Sequence, residues 1–272
     1  GNEITLDGPP ESVTTIETLI SEMLIMVRTG QGLTTEAVER SIGMLRSNVR
    51  PAEVLTANIL SNRGKTIRSK TLGQKQYVDA IDEHTITFGI GPAGTGKTYL
   101  AVAKAVQALQ GKKVNRIILT RPAVGVDDEK HGFLPGDINQ KMEPWTRPLL
   151  DVLREYYTTK EITHMLEEQI VEIAPLAFCR GRNFKHSWVV LDEAQNCTPG
   201  QLKMIMTRIG VGSKIVITGD IEQADRKTAD NGLLDLQNRL RKGVIPGLQL
   251  CNFELKDVQR HRIIEHVLNL YQ

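Results

Sequence analysis

Gly91-Pro92-Ala93-Gly94-Thr95-Gly96-Lys97-Thr98 is the stretch on which the reading turns. It matches GxxxxGK[ST] and lies between the apolar run TITFGI (85–90) and an amphipathic pattern that begins at Lys97. That strand-to-helix setting is the one the motif requires. Glycines let the backbone curl until its N–H groups converge on phosphate oxygens, and the helix that follows adds its positive N-terminal end. Lys97 is expected to reach the β- and γ-phosphates, and Thr98 to ligate Mg²⁺.

Outward from this loop, short β-branched runs alternate with amphipathic helices, which predicts an α/β fold: a P-loop, RecA-like, mostly parallel sheet with flanking helices. The expected strands are 85–90, 116–120, 187–192, 214–220 and 248–255, and the expected helices 97–110, 138–156, 159–169, 199–209, 229–241 and 260–270. Ahead of this domain, placed at 63–272, residues 1–62 predict a small, truncated, mainly helical module. In it EITLD (3–7) reads as a strand ending at GPP, and Ser12 as the N-cap of a helix carrying Val13, Ile16, Leu19, Ile20, Met23, Leu24 and Val27. A second helix, 35–47, would turn Ala37, Val38, Ile42 and Leu45 inward, before Pro51 and SNRG punctuate the chain.

Composition narrows the class. Of 272 residues, 40% are hydrophobic and 24% charged, values of a folded globular chain and not of a disordered or collagen-like one. No run approaches the roughly 18 to 20 apolar residues that cross a bilayer; the most apolar, LISEMLIMV (19–27), contains Glu22. The chain begins with Gly and shows no leader pattern, so an excised fragment lacking native N-terminal sequence is expected. Cys179, Cys197 and Cys251 have neither CxxC nor Cys/His spacing, which argues against a disulfide framework or a zinc site and points to a reducing cytoplasm. With a net charge of +2, any nucleic-acid contact must be local. The one local cluster is NRGKTIRSKTLGQK, where Arg63, Lys65, Arg68, Lys70 and Lys75 occur without an acidic residue; its plain reading is a solvated hairpin.

Two further strand ends carry chemistry. In Trp188-Val189-Val190-Leu191-Asp192-Glu193-Ala194-Gln195 an apolar run reads as a strand buried on both faces, ending in two carboxylates where open α/β sheets place ligands. Asp192 is expected to hold Mg²⁺ and Glu193 to polarise the attacking water. In Thr218-Gly219-Asp220-Ile221-Glu222-Gln223, Gln223 or Asp220 is placed to sense a γ-phosphate if this strand lies beside that of Asp192.

Together these elements resemble the nucleotide-binding half of superfamily 1 helicases and, more closely, the PhoH family of single-domain ATPases. GPAGTGKT, VVLDEAQN, TGDIEQADR, LKDVQRHRI, TLGQKQYVDAI and HGFLPGDINQKMEPWTRPLLD carry the likeness across residues 63–272. The N-terminal module is similar to what precedes the core in the YbeZ branch, which often looks like part of a KH-type RNA-binding fold, although 1–62 contains no GxxG loop.

The resemblance implies ATP and Mg²⁺ as ligands, and no NKxD guanine signature is present. By motif, Gln74, with Gln76 as the alternative, matches the adenine-reading glutamine, whose amide both donates and accepts. Arg260, with Arg262 as the alternative, matches the arginine finger that neutralises transition-state charge; the family's VVR reads VQR here. Thr120-Arg121-Pro122 follows a strand where helicase relatives contact single-stranded nucleic acid. Phe133 in HGFLPG reads as a stacking or interface residue or as a buried loop residue, and His131 has no metal-ligand partner at readable spacing. RNA is the implied polymer, with ribosomal RNA processing beside a single-strand endoribonuclease as the implied setting. Superfamily 1 motors close ATP between two RecA-like lobes, but this chain has length for one. The implied remedy is a ring, a hexamer by resemblance, with Arg260 supplied in trans. The competing expectation is a nucleotide-ordered oligomeric scaffold with little turnover; a small-molecule kinase is disfavoured for want of an Arg-rich lid.

Overall fold

The structure, a computed structural model, describes residues 3–62, 65–122, 150–224, 231–241 and 243–259. Outside them fall HGFLPG with His131 and Phe133, most of the expected helix 138–156, and the C-terminal stretch with Arg260 and Arg262. The chain divides into two compact units, Gly1–Lys75 and Gln76–Gln272.

In the first unit, α1 (Pro10–Arg28), α2 (Thr35–Arg46) and α3 (Pro51–Leu55) gather Met26, Met44, Ala52, Val54 and Leu55 into a small core. Proline opens both α1 and α3 because the first helical position needs no N–H donor and a φ near −65° suits it. Pro10 therefore starts α1 ahead of Ser12, which lies inside the helix and does not cap it. Glu22, the charge inside the apolar stretch, is buried and accepts from Ala52 N–H (2.8 Å) and Arg50 Nε (3.0 Å), so it ties α1 to the start of α3. The 3–7 segment is not a strand: Ile4 is 71% exposed, and with no partner strand among the described residues its five alternating residues have nowhere to place their ladder bonds. β1 (Asn58–Asn62) and β2 (Lys65–Arg68) pair antiparallel, as the hairpin reading expects. Both strands fall in the first unit, whereas the sequence boundary at 62 separates them. Arg68 is engaged within that unit, by Asn58 Oδ1 (2.9 Å) and the Thr29 carbonyl (3.3 Å), while Lys70 is exposed.

The second unit is a six-stranded parallel sheet. After α4 (Leu72–Glu83), in which the unit boundary falls, come β3 (Ile86–Ile90), α5 (Lys97–Gln110), β4 (Arg116–Arg121), α6 (Thr159–Glu167), β5 (Val171–Pro175), β6 (Ser187–Leu191), α7 (Pro199–Met206), β7 (Lys214–Gly219), α8 (Gly232–Leu240) and β8 (Leu248–Asn252). The strand order is β5-β4-β6-β7-β3-β8, with every neighbouring pair parallel. The chain leaves β3 past two strands to β4 and later crosses back to β8 on the other side. The carboxyl end of β3 is thus a topological switch point, where such sheets bind ligands. All five residues of β6 are buried, as its unbroken apolar run predicts. β5 is the strand the sequence did not predict: it is an edge strand, and its half-buried Glu172 and Ile173 interrupt the apolar signal. Phe88, Val189, Leu191, Ile215 and Ile217 from the sheet pack with Leu202, Ile205 and Leu233 from α7 and α8 in one core. The three cysteines are free, and burial pushes the Cys251 thiol up to about 11. Among the described residues no helix is long and apolar enough to cross a membrane.

Candidate functional site

The loop from Gly91 to Thr98 leaves β3 and becomes α5. Gly91, Gly94 and Gly96 have φ of 143°, 85° and 84°, a region in which side chains with a Cβ are strained. Gly91 is also confined by a neighbour, since a Cβ there would lie 2.4 Å from the Phe253 carbonyl oxygen. Lys97 folds back over the loop, and its Nζ donates to the carbonyls of Gly91 (2.6 Å) and Pro92 (2.7 Å) and to Thr95 Oγ1 (3.3 Å). The ammonium is therefore already at the mouth of the cradle, held by acceptors that phosphate oxygens would replace.

The opposite wall follows from strand register. Thr120 pairs with Leu191, Leu191 with Ile217, and Gly89 with Thr218, so the next step along each strand brings Arg121, Asp192 and Thr218 to one level beside the end of β3. Asp192 is buried and fully engaged. Its Oδ1 accepts from Thr98 Oγ1 (2.7 Å) and Thr218 Oγ1 (2.7 Å), and its Oδ2 lies 2.9 Å from Arg121 Nη2. The same Nη2 reaches Glu193 Oε1 at 2.9 Å.

Glu193 has left-handed φ and ψ of 56° and 38°, uncommon for a residue with a Cβ, and a side chain 42% exposed. That kink turns the chain off the strand axis, so that the buried Asp192 and the more exposed Glu193 both reach the cavity. Glu193 Oε2 accepts from Gln195 Nε2, and Gln195 Oε1 accepts from the Asp220 N–H at 3.1 Å. Gly219 leaves the space for this amide: a Cβ there would come within 3.0 Å of Gln195 Oε1 and 2.6 Å of Leu233 Cδ1. Asp220 Oδ1 in turn accepts from Glu222 N (3.1 Å), shaping the short turn Ile221–Gln223.

A cavity of ≈ 260 Å³ lies between these walls, and Lys97, Thr98, Asp192, Glu193, Asp220 and Gln223 all line it. The phosphate, metal, base and sensor residues expected from sequence are thus brought to one place. Tyr99 lines it too, with its hydroxyl 3.0 Å from Glu155 Oε2 and 3.3 Å from Tyr156; burial pushes its phenol well up, so it remains neutral. Gln74 belongs to the first unit, where it is buried and its Oε1 accepts from Lys70 N (2.8 Å); Gln76, two residues on, is exposed. Gln259, the residue before Arg260, donates its N–H to the Gly94 carbonyl at 2.8 Å.

Three participants have no part in this site when only the sequence is read. There Arg121 is a polymer contact, Thr218 a strand ending, and Gln195 carries no signal. Arg121 and Thr218 could have been found through register, because each stands where its strand ends level with Asp192. Gln195 could not, since its role depends on a turn that follows a left-handed residue.

The family model described as "PhoH-like protein" matches residues 66–272. The chain is 50% identical over 274 residues to the PhoH-like protein of Mycobacterium tuberculosis, covering 100% of this chain and 77% of that protein. It is 41% identical over 277 residues to the PhoH-like protein of Bacillus subtilis, covering 100% and 85%. Among solved structures, the Pif1 helicase from Candida albicans matches with a TM-score of 0.35 and 13% identity, over 74% of this chain and 43% of that one.

Proposed function

The chain belongs to the PhoH-like protein family, and from that premise we propose that it is a Mg²⁺-dependent ATPase whose turnover is coupled to RNA. The observation that carries this reading is Asp192: one oxygen takes the P-loop hydroxyl of Thr98, the other takes Arg121, and Glu193 stands beside it over the same cavity as Lys97.

Thr98 Oγ1 and Asp192 Oδ1 are hard oxygen donors 2.7 Å apart, the donor type that Mg²⁺ takes. When bound, the ion would neutralise negative charge that develops on the transferred phosphoryl group. The backbone N–H groups of 94–98 bind the phosphates, and Lys97 leaves its own loop's carbonyls for them. Glu193 takes the proton of the attacking water, and Gln223 or Asp220, which line the same cavity, senses the γ-phosphate. Glu193 begins with both oxygens engaged, one bond each from Arg121 and Gln195, and each oxygen keeps a second lone pair for the water. That same engagement favours a second reading, an ATP-ordered scaffold with little turnover.

The RNA part rests on family resemblance and on the cation-rich segment 63–75. The same resemblance supports a cytoplasmic setting, ribosomal RNA processing beside an endoribonuclease, and a homo-oligomeric ring of six with Arg260 completing a neighbour's site. A head-to-tail contact of that kind must close or run on as a filament. Phosphate release from ATP, measured with and without single-stranded RNA, tests the coupling: stimulation is expected. Tight ATP binding with no turnover under either condition would favour the scaffold. Mixing Arg260→Ala with Glu193→Gln tests the ring, because activity returns only if one copy's arginine serves another copy's base.

A further inference from the structure

Residues 253–259 run from the end of β8 back onto the P-loop, bonded at one end to the last residue of β3 and at the other to the loop itself. At the near end Phe253 N–H donates to the Ile90 carbonyl (2.7 Å), and the Phe253 ring meets Tyr77 edge-on at 5.2 Å. At the far end Gln259 N–H donates to the Gly94 carbonyl (2.8 Å). The intervening turn is closed by buried Asp257, whose carboxylate accepts from Glu254 N (3.0 Å) while its own N–H donates to the Glu254 carbonyl (2.9 Å).

We propose that the main-chain N–H of Gln259 is a positioning group of the phosphate site. The 94–95 peptide is planar and trans, so its carbonyl and N–H point in opposite directions. Holding the Gly94 carbonyl on the strap aims the Thr95 N–H away from the strap, toward the phosphates. The anchor is needed because Gly94, on one side of this peptide, has φ of 85°, and glycine's freedom lets such a peptide rotate. The inference rests on the nucleotide-binding reading and adds to it a group that lies far outside the P-loop motif.

The test compares Gln259→Pro with Gln259→Ala in the full chain. Proline removes the N–H, and Val258 already has φ −64° and ψ 127°, the conformation favoured before proline. Alanine keeps the N–H and loses only an amide that bonds to the nearby Asp257 and Val258 carbonyls. Gln259→Pro is expected to weaken ADP binding about three- to tenfold, and Gln259→Ala to keep the parent's affinity. Parent-like ADP binding by Gln259→Pro overturns the proposal alone; a parent that binds no ADP overturns the nucleotide reading and the proposal with it. If Gln259→Pro does not fold, amide exchange at Gln259 in the parent answers instead. Protection that rises on adding ADP supports the proposal, and exchange that ADP leaves unchanged overturns it.

Discussion

One wall of the cavity comes from a single run of sequence, the P-loop 91–98, whereas the facing wall depends on Asp192, which Arg121 and Thr218 hold from two neighbouring strands. The P-loop wall is a local device: its glycines, its lysine and the helix behind it follow one another in sequence. The facing wall is a product of register, and a slip of one residue in β6 or β7 would turn its side chains to the opposite faces. Binding and turnover are therefore expected to fail separately, and the variants below are chosen to break them apart.

Asp192→Ala should have the largest effect. It removes the group that joins Thr98, Thr218 and Arg121, and it leaves the Arg121 guanidinium with one carboxylate fewer in a mostly buried setting. ATP turnover should fall to background, and substantial remaining turnover would show that the row is not the reaction centre. On the other wall, Lys97→Ala removes a charge-assisted interaction worth about 1.5–3 kcal/mol, or roughly ten- to a hundredfold in nucleotide affinity. Titration with ADP reads it, and unchanged affinity would detach the P-loop from binding.

Gly219→Ala tests the link behind the row. The added methyl meets Leu233 Cδ1 and Gln195 Oε1, an overpacking expected to cost about 1–3 kcal/mol in a melt. If Gln195 is displaced, turnover should fall while ADP affinity holds. Equal losses in both would mean the two walls are not separable. The smallest effect is expected outside the cavity: replacing Arg63, Lys65 and Arg68 with Ala should flatten the salt dependence of RNA binding, by about 0.7 in log–log slope for each phosphate that is no longer neutralised. Arg68 already bonds to Asn58 and Thr29, so its share should be the least. A parent without measurable RNA affinity at low salt would remove this prediction.

The same contrast explains what could be read from sequence. The P-loop, β3, β4, β6, β7 and β8 announce themselves through apolar runs and glycine spacing, and Lys97, Thr98, Asp192 and Glu193 follow at once. β5 does not, because an edge strand with a half-exposed glutamate lacks that pattern. α3 does not either, because Pro51 reads as a stop, although at the first helical position it is a start. In the opposite direction, EITLD alternates as a strand should but has no partner among the described residues. Arg121, Gln195 and the Gln259 N–H stay hidden for a shared reason: each acts on a group 72, 25 or 165 residues away in sequence, or two residues away around an unusual turn.

The most direct measurement is a single-turnover assay of Glu193→Gln beside the parent, following bound ATP and released phosphate in the same sample. General-base catalysis contributes about 10²–10⁴ in rate, so the variant should bind ATP as the parent does and release phosphate slower by about that factor. Phosphate release at the parent's rate would contradict the account, because the residue that register and the left-handed turn bring to the cavity would then have no part in the reaction.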